Sequence, residues 1–387
     1  MSGGPSVDGS ERGKERLRVA ILGARCLPAT YGGTETFTEV LATGLVARGH
    51  EVTVYCCSPY QEDRSLNYKG IRRVIVPTIR LASMEKFVYA ALSFLHVSAS
   101  SADVILMNQV GGGPFCVVPR IFGKKVVINP DGLDWKRTRW GWVGSTVLKL
   151  FERISAVGAS CIAADSQAIA EYTWKNYKRR AVYIPYGANP AQFAAADPLD
   201  MEGLRPNEYI VQICRMEPEN NAHLVIREFE QVKTGMGLAI VGGSPYSHKY
   251  GEVLRSTKDA RIRLLGGIYG ARYRALMKNA FVYIHGHEVG GTNPVLLDAM
   301  AAGQCIIALD VPFNREVLAD AGLYFTKTDG DLSSKVRYIL EHPEERDLYG
   351  EKAKQRVKEM FPWSRTISEH EALFFKLVHK TTEGLDG

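Results

Sequence analysis

The chain has 387 residues, with 48 Lys and Arg against 42 Asp and Glu, for a formal net charge of +6. Hydrophobic residues make up 45% and charged residues 23%, which excludes a disordered, collagen-like or disulfide-stapled chain. The length exceeds one comfortable core, so two domains of roughly 150 to 200 residues each are expected, and no run of about 18 uncharged apolar residues offers a membrane-spanning helix.

Residues 1–16 are polar, lack the apolar stretch of a secretory signal, and read as a disordered tail. Alternating strand and helix patterns then begin. Strands are predicted at 17–23, 51–56, 71–76, 103–107, 124–129, 161–164 and 181–185, with helices at 34–48, 145–157 and 167–175. Many of the strands are continuously apolar, which suits a parallel sheet buried on both faces. The seven cysteines form no C-x-x-C pair, and most lie in or beside apolar segments. They read as reduced thiols of a cytoplasmic protein.

In this first half, 17–188, the strand at 17–23 runs into a loop holding Gly32 and Gly33, then a helix capped by Thr34. The loop is not G-x-G-x-x-G, and no acidic residue closes the next strand as a ribose partner, so a nicotinamide or flavin site is disfavoured. Paired glycines let a ligand approach the backbone at a helix N-terminus. Asp131 follows the strand at 124–129, where it either overlooks a cleft or caps a turn. Further on, Trp135, Lys136, Arg139, Trp140 and Trp142 mix indoles with cations. This composition suits an interfacial membrane contact, or else a solvated basic face over an ordinary core. Nucleic-acid binding would use similar residues, but no recognised module surrounds them, and none is expected.

A Pro-, Ala- and Gly-rich stretch follows, with the linker placed at 189–206, and the rhythm restarts over 207–362. Strands are predicted at 208–213, 237–241, 262–265, 281–284, 305–309 and 322–325. Such βαβ alternation means α/β domains, here two Rossmann-like units facing across a cleft, with ligands at the carboxyl ends of the strands. Arg215 leaves the first of these strands in C-R-M-E-P-E-N-N, where a guanidinium can clamp phosphate, or pair with Glu217 or Glu219. In H-G-H-E-V-G-G-T-N-P-V-L-L-D, Asn293 is a good N-cap and Pro294 fits the first helical position. The amides of Gly290, Gly291, Thr292 and Asn293 would then form an anion site suited to a diphosphate, with Asp298 one turn on, near enough for ribose hydroxyls. A merely tight strand–turn–helix would use the same glycines. Asp329-Gly330-Asp331 reads as a turn and cap, and His285-x-His287 lacks a third ligand, so no metal is expected. Residues 363–387 read as a C-terminal helix that packs back on the first domain.

These segments together resemble the retaining two-Rossmann (GT-B) nucleotide-sugar glycosyltransferases of family 4. The similarity runs from about Arg18 to Leu377. Y-G-G-x-E-T-F, D-G-L-[DE]-W-K-R, R-x-E-P-E-N-N and V-G-G-T-N-P are shared most closely with bacterial rhamnosyltransferases of polysaccharide assembly. The resemblance implies that Arg215 clamps the donor pyrophosphate and that Gly290 to Asn293 bind sugar and phosphates. It implies that Asp298 takes the ribose, that Ile268 and Tyr269 contact the base, and that Gly32, Gly33, Thr34 and Glu35 border the acceptor and diphosphate region. Asp131 lies where many relatives carry a catalytic His. Two family positions differ: Gly290 replaces the first of two glutamates, with Glu288 out of register, and Asn220 replaces a phosphate-binding Lys. The implied reaction moves a hexosyl unit, rhamnosyl included, from a dTDP- or UDP-sugar to a saccharide acceptor, lipid-linked at the inner membrane face, without cofactor. A nucleotide-sugar 2-epimerase and a non-catalytic nucleotide-sugar-binding protein are the competing expectations.

Overall fold

The computed structural model describes residues 15–29, 32–61, 63–78, 85–130, 132–137, 140–194, 203–243 and 248–379. Its first sheet contains β1 (Arg18–Leu22), β2 (Glu51–Cys57), β3 (Asn67–Tyr68), β4 (Ile71–Val76), β5 (Val104–Asn108), β6 (Lys125–Asn129), β7 (Cys161–Ala164) and β8 (Ala181–Tyr183). The second contains β9 (Tyr209–Ile213), β10 (Gly237–Val241), β11 (Ile262–Gly266), β12 (Val282–His285), β13 (Ile306–Leu309) and β14 (Leu323–Phe325).

The strand orders are β3-β4-β2-β1-β5-β6-β7-β8 and β11-β10-β9-β12-β13-β14. Every pairing is parallel except β3 with β4. That exception is a hairpin closed by Lys69 and Gly70, both at positive φ, the geometry a two-residue turn between twisted strands requires. Both sheets are doubly wound, and both reverse their winding at the central pairs β1/β5 and β9/β12, where such sheets open a crevice. β5 and β9 have every residue buried, which explains why each is apolar but for one residue, Asn108 and Gln212.

Helices seal both faces of each sheet. Gly33–Ala47 places Phe37, Leu41 and Leu45 inward at helical spacing, against β1, β2 and the C-terminal helix. That helix, Trp363–His379, belongs spatially to the first domain although it ends the described chain. Glu371 accepts from Arg48 Nη1 at 2.5 Å and pairs with His50 Nε2 at 2.8 Å, while Thr366 Oγ1 donates to the carbonyl of Pro185 at 2.9 Å. Residues Ala188 and Pro362 form a parallel bridge, so the outgoing and returning connections run side by side between the domains.

Candidate functional site

The carboxyl ends of β1, β6 and β7 face those of β9 and β12. From β9 the chain passes through Cys214 to Arg215, whose Nε lies 3.8 Å from Glu217 Oε2. Glu217 is buried, and its carboxylate also lies 3.5 Å from Arg137 Nη1 of the opposite domain. Asn220, expected to touch the donor, is instead turned inward: its Nδ2 donates to the carbonyl of Arg215 at 2.8 Å, and only 1% of it is exposed. The residue in the family's Lys position thus supports the Arg215 loop from below.

β12 ends at His285 and leads into the glycine loop. Asn293 Oδ1 accepts from the Val295 amide at 2.9 Å and caps the helix Pro294–Ala301, whose first residue needs no donor because it is proline. The loop abuts the first domain. Thr292 Oγ1 donates to the Asp165 carbonyl, and a Cβ added at Gly291 would strike the Asp165 carboxylate. A Cβ at Gly132 would come within 3.0 Å of Gly290 Cα, and one at Gly33 within 2.6 Å of Pro294 Cγ. The helix beginning at Gly33 and the helix beginning at Pro294 therefore present their N-termini to one interdomain space. Two converging helix N-termini make that space favourable for negative charge.

Asp298 sits one turn into the Pro294 helix. Tyr273 Oη donates to Oδ2 at 2.8 Å and Gln192 Nε2 to Oδ1 at 2.9 Å. Burial raises the Asp298 carboxyl to about 6, against these two donors. Gln192 comes from the connecting segment, so the linker holds a carboxylate of the second domain.

The H-x-H pair stacks face to face, ring centroids 4.4 Å apart at 16°. Among the described residues no group of three His, Cys, Asp or Glu stands close enough to hold a metal ion. Burial pushes His285 down to about 3; burial, His285, Arg215 and Arg137 together hold His287 well below the usual imidazole value. Both rings are neutral at physiological pH, and His287 lies in the field of the two arginines.

The other expected residues are scattered around this centre. Ile268 is nearly buried and Tyr269, 55% exposed, precedes the helix Gly270–Lys278. Gly32 adopts φ +84, Thr34 lies in the first turn of the next helix, and Glu35 is buried with Oε1 accepting from the Arg25 amide at 3.3 Å. Asp131 and Arg139 lie outside the described residues. The Trp-rich stretch is divided: Trp135 is partly buried beneath Lys149, whose Nζ lies 3.9 Å from its ring centroid, Trp140 is also partly buried, and Trp142 is 83% exposed. Lys136 joins His223, Arg227, Glu288 and Lys327 around an open groove of about 620 Å³. Within it Glu288 pairs with Lys327 at 2.6 Å, so the out-of-register glutamate points to a lysine.

Sequence reasoning missed Arg137, Asp165, Gln192, Tyr273 and Glu316. Glu316 accepts from the amides of Gln167 (2.8 Å) and Ala168 (3.4 Å), capping a first-domain helix from the second domain. Only Asp165 left a signal, a lone carboxylate ending an apolar strand. The others act across folds of the chain that no local pattern reports.

Residues 16–189 match the model of a domain of unknown function (DUF1972), and residues 202–356 match that of glycosyl transferases group 1. The uncharacterized glycosyltransferase MJ1069 of Methanocaldococcus jannaschii is 31% identical over 141 residues, 34% of this chain and 36% of that protein. A phosphatidyl-myo-inositol mannosyltransferase of Mycolicibacterium smegmatis is 28% identical over 204 residues, 48% of this chain and 49% of that protein. The matches thus span half or less of these curated relatives. Over 93% of this chain and 99% of each neighbour, the fold superposes on sucrose-phosphate synthase from Thermosynechococcus elongatus (TM-score 0.77, 19% identity) and on Anabaena Alr3699/HepE in complex with UDP and glucose (0.74, 16%). Residues 202–356 thus resemble the glycosyl transferases group 1 over the second domain of a two-domain GT-B architecture.

Proposed function

We propose that this protein is a retaining glycosyltransferase that moves a hexosyl unit, with rhamnosyl the first candidate, from a dTDP- or UDP-sugar to a lipid-linked saccharide acceptor at the cytoplasmic membrane face, in polysaccharide assembly. The observation that carries the reading is the convergence of two helix N-termini, at Gly33 and Pro294, on one interdomain space bordered by Arg215 and the glycine loop. Breaking an anomeric bond leaves charge on the departing diphosphate, and amides and a guanidinium fixed in advance stabilise that charge as it develops. The UDP held by the Anabaena neighbour on the same fold supports a nucleotide-sugar donor.

In this reading Arg215 and the Gly290–Asn293 amides take the diphosphate, Asp298 the ribose, and Ile268 and Tyr269 the base. Residues 32–35, at the start of the first helix, border the acceptor, and Asp131 serves the transferred sugar. Attack from the face the diphosphate leaves, with a phosphate oxygen accepting the acceptor's proton, retains configuration. The glycine contacts at 33, 132 and 291 let the domains close and exclude water from the reacting bond. The open groove at Lys136 and Lys327 provides the approach for an anionic acceptor.

A panel of dTDP-, UDP- and GDP-sugars, read by thermal shift and by nucleotide release with and without acceptor, tests the reading. Stabilisation by one donor and acceptor-dependent release are expected. Donor consumed without acceptor indicates the 2-epimerase, and binding without release indicates a non-catalytic binder.

A further inference from the structure

The three helices Glu85–Ser98, Val117–Ile121 and Trp142–Gly158 lie side by side on one face of the first sheet. Phe87 and Phe151 meet edge to face at 5.3 Å, Arg120 Nη1 donates to the Gly158 carbonyl at 2.6 Å, and helices 85–98 and 117–121 touch along their length. The inner side of the first supplies Tyr89, Ala90, Phe94 and Val97 to a closed core, and the third buries Leu148 and Ala156. Their outer sides are apolar as well. Leu95, Ile121, Trp142, Val143, Leu150 and Val157 are each more than half exposed. Along the longest helix, Val143, Val147, Leu150, Ile154 and Val157 recur at alternating steps of four and three, on the side facing away from the core or at its edge. An apolar stripe on a water-facing helix side is the reverse of what packing on one sheet requires.

The charges on this layer have one sign. Its cations are Lys86, Arg120, Lys149 and Arg153. Its only two carboxylates, Glu85 and Glu152, are turned inward, 8% and 4% exposed, onto the hydroxyls of Tyr60 and Tyr177. The second domain offers the contrast: helix Pro343–Met360 mixes exposed Glu and Lys, the pattern of a face kept in water.

We infer that this three-helix layer docks on a bilayer surface bearing anionic phospholipids, with Ile121, Trp142, Val143 and Leu150 seated among the headgroups and Lys149 and Arg153 meeting phosphates. The binding is interfacial, since no described helix is long and apolar enough to cross a membrane. The surface differs from the one expected from sequence, because Trp135 is covered by Lys149 and Lys136 faces the interdomain groove. The inference rests on the proposed lipid-linked acceptor for its purpose only; the surface itself is independent of the sugar moved.

The test is co-sedimentation of the full chain with phosphatidylcholine vesicles, with and without phosphatidylglycerol. Wild type is expected on phosphatidylglycerol vesicles and to come off in high salt. The double variant Ile121→Glu, Leu150→Glu should lose binding by about tenfold or more, in line with apolar side chains withheld from burial. Its melting temperature and nucleotide release with a soluble acceptor should be unchanged. Arg153→Glu, at an exposed position the fold does not need, should weaken binding to phosphatidylglycerol vesicles only. Equal binding by wild type and both variants overturns the proposal. So does a wild type indifferent to vesicles but dimeric in sedimentation velocity, with the dimer broken by the double variant, which would assign the face to a second copy. Vesicle binding with no nucleotide release from any donor would overturn the transferase reading and leave this one standing.

Discussion

The two sheets share a winding order yet use their cleft-facing loops in opposite ways. In the proposed function the second domain supplies the chemistry, through Arg215, the capped amides of Gly290 to Asn293 and Asp298, with Glu217 and His287 beside them. The first supplies mainly room, through Gly33 and Gly132, where a single methyl group would collide with the other domain's loop, and one carboxylate residue, Asp165, whose carbonyl receives Thr292. One half is thus built to hold charge and the other to let that charge be enclosed, so defects in the two halves should have separable symptoms.

Removing charge from the second domain should have the largest effect. Arg215→Ala is expected to reduce kcat/KM by about 10²- to 10³-fold, as loss of a preorganised donor to a developing oxyanion does; full turnover in the steady-state assay would end the phosphate-clamp role. Spoiling room in the first domain comes next. Gly132 has φ +87 and faces Gly290, so Gly132→Ala should cost roughly 1–2 kcal/mol of stability from backbone strain. It should lower kcat while leaving donor affinity, measured by calorimetry, nearly intact. If affinity falls as much as turnover, the division of labour between the halves is wrong.

Glu371→Ala probes what holds the C-terminal helix on the first domain. Its carboxylate, held below its ordinary range by the His50 and Arg48 hydrogen bonds that outweigh burial, should contribute about 1–3 kcal/mol above the acid range. That contribution disappears as pH falls through the lowered folded value, so wild type and variant should melt alike only in strong acid. Asp298 behaves oppositely. Its raised carboxyl is more protonated in the native than in the unfolded chain between about pH 4 and pH 6, so its contribution to stability falls as pH rises through that window. Donor affinity should climb over the same range as the carboxylate forms, and Asp298→Asn should flatten both profiles. The smallest effect is expected from Glu316→Gln, which weakens the cross-domain cap on the Gln167 helix by about 0.3–1 kcal/mol and should appear as a modest rise in KM.

The fold was legible because burial on both sheet faces writes itself into the chain as continuous apolar runs, as at 104–107 and Ile306–Leu309. The Asn293-Pro294 helix start was equally plain, since cap and first-turn chemistry are local. Asn220 was misread because a spacing reports a position and not the direction of an amide, which here serves the Arg215 carbonyl. Arg137 left no local signal, because its approach to Glu217 depends on how two domains meet. Gln192 lies in a stretch whose composition announces a connection and conceals its contact with Asp298. The outer apolar stripe was hidden, since apolar residues such as Val147 and Leu150 carry the same sequence signal whether they face the sheet or solvent.

The return of Trp363–His379 to the first sheet also bears on how the protein is made. Phe37 and Leu41 of the opening helix share a core with Leu373, Phe374 and Leu377, residues synthesised more than three hundred positions later. On the ribosome, the first half therefore waits with an apolar face uncovered while the entire second domain is translated and folds. The final helix then closes a seam that its own half has held open, which makes the second domain, in order of assembly, the earlier of the two to finish.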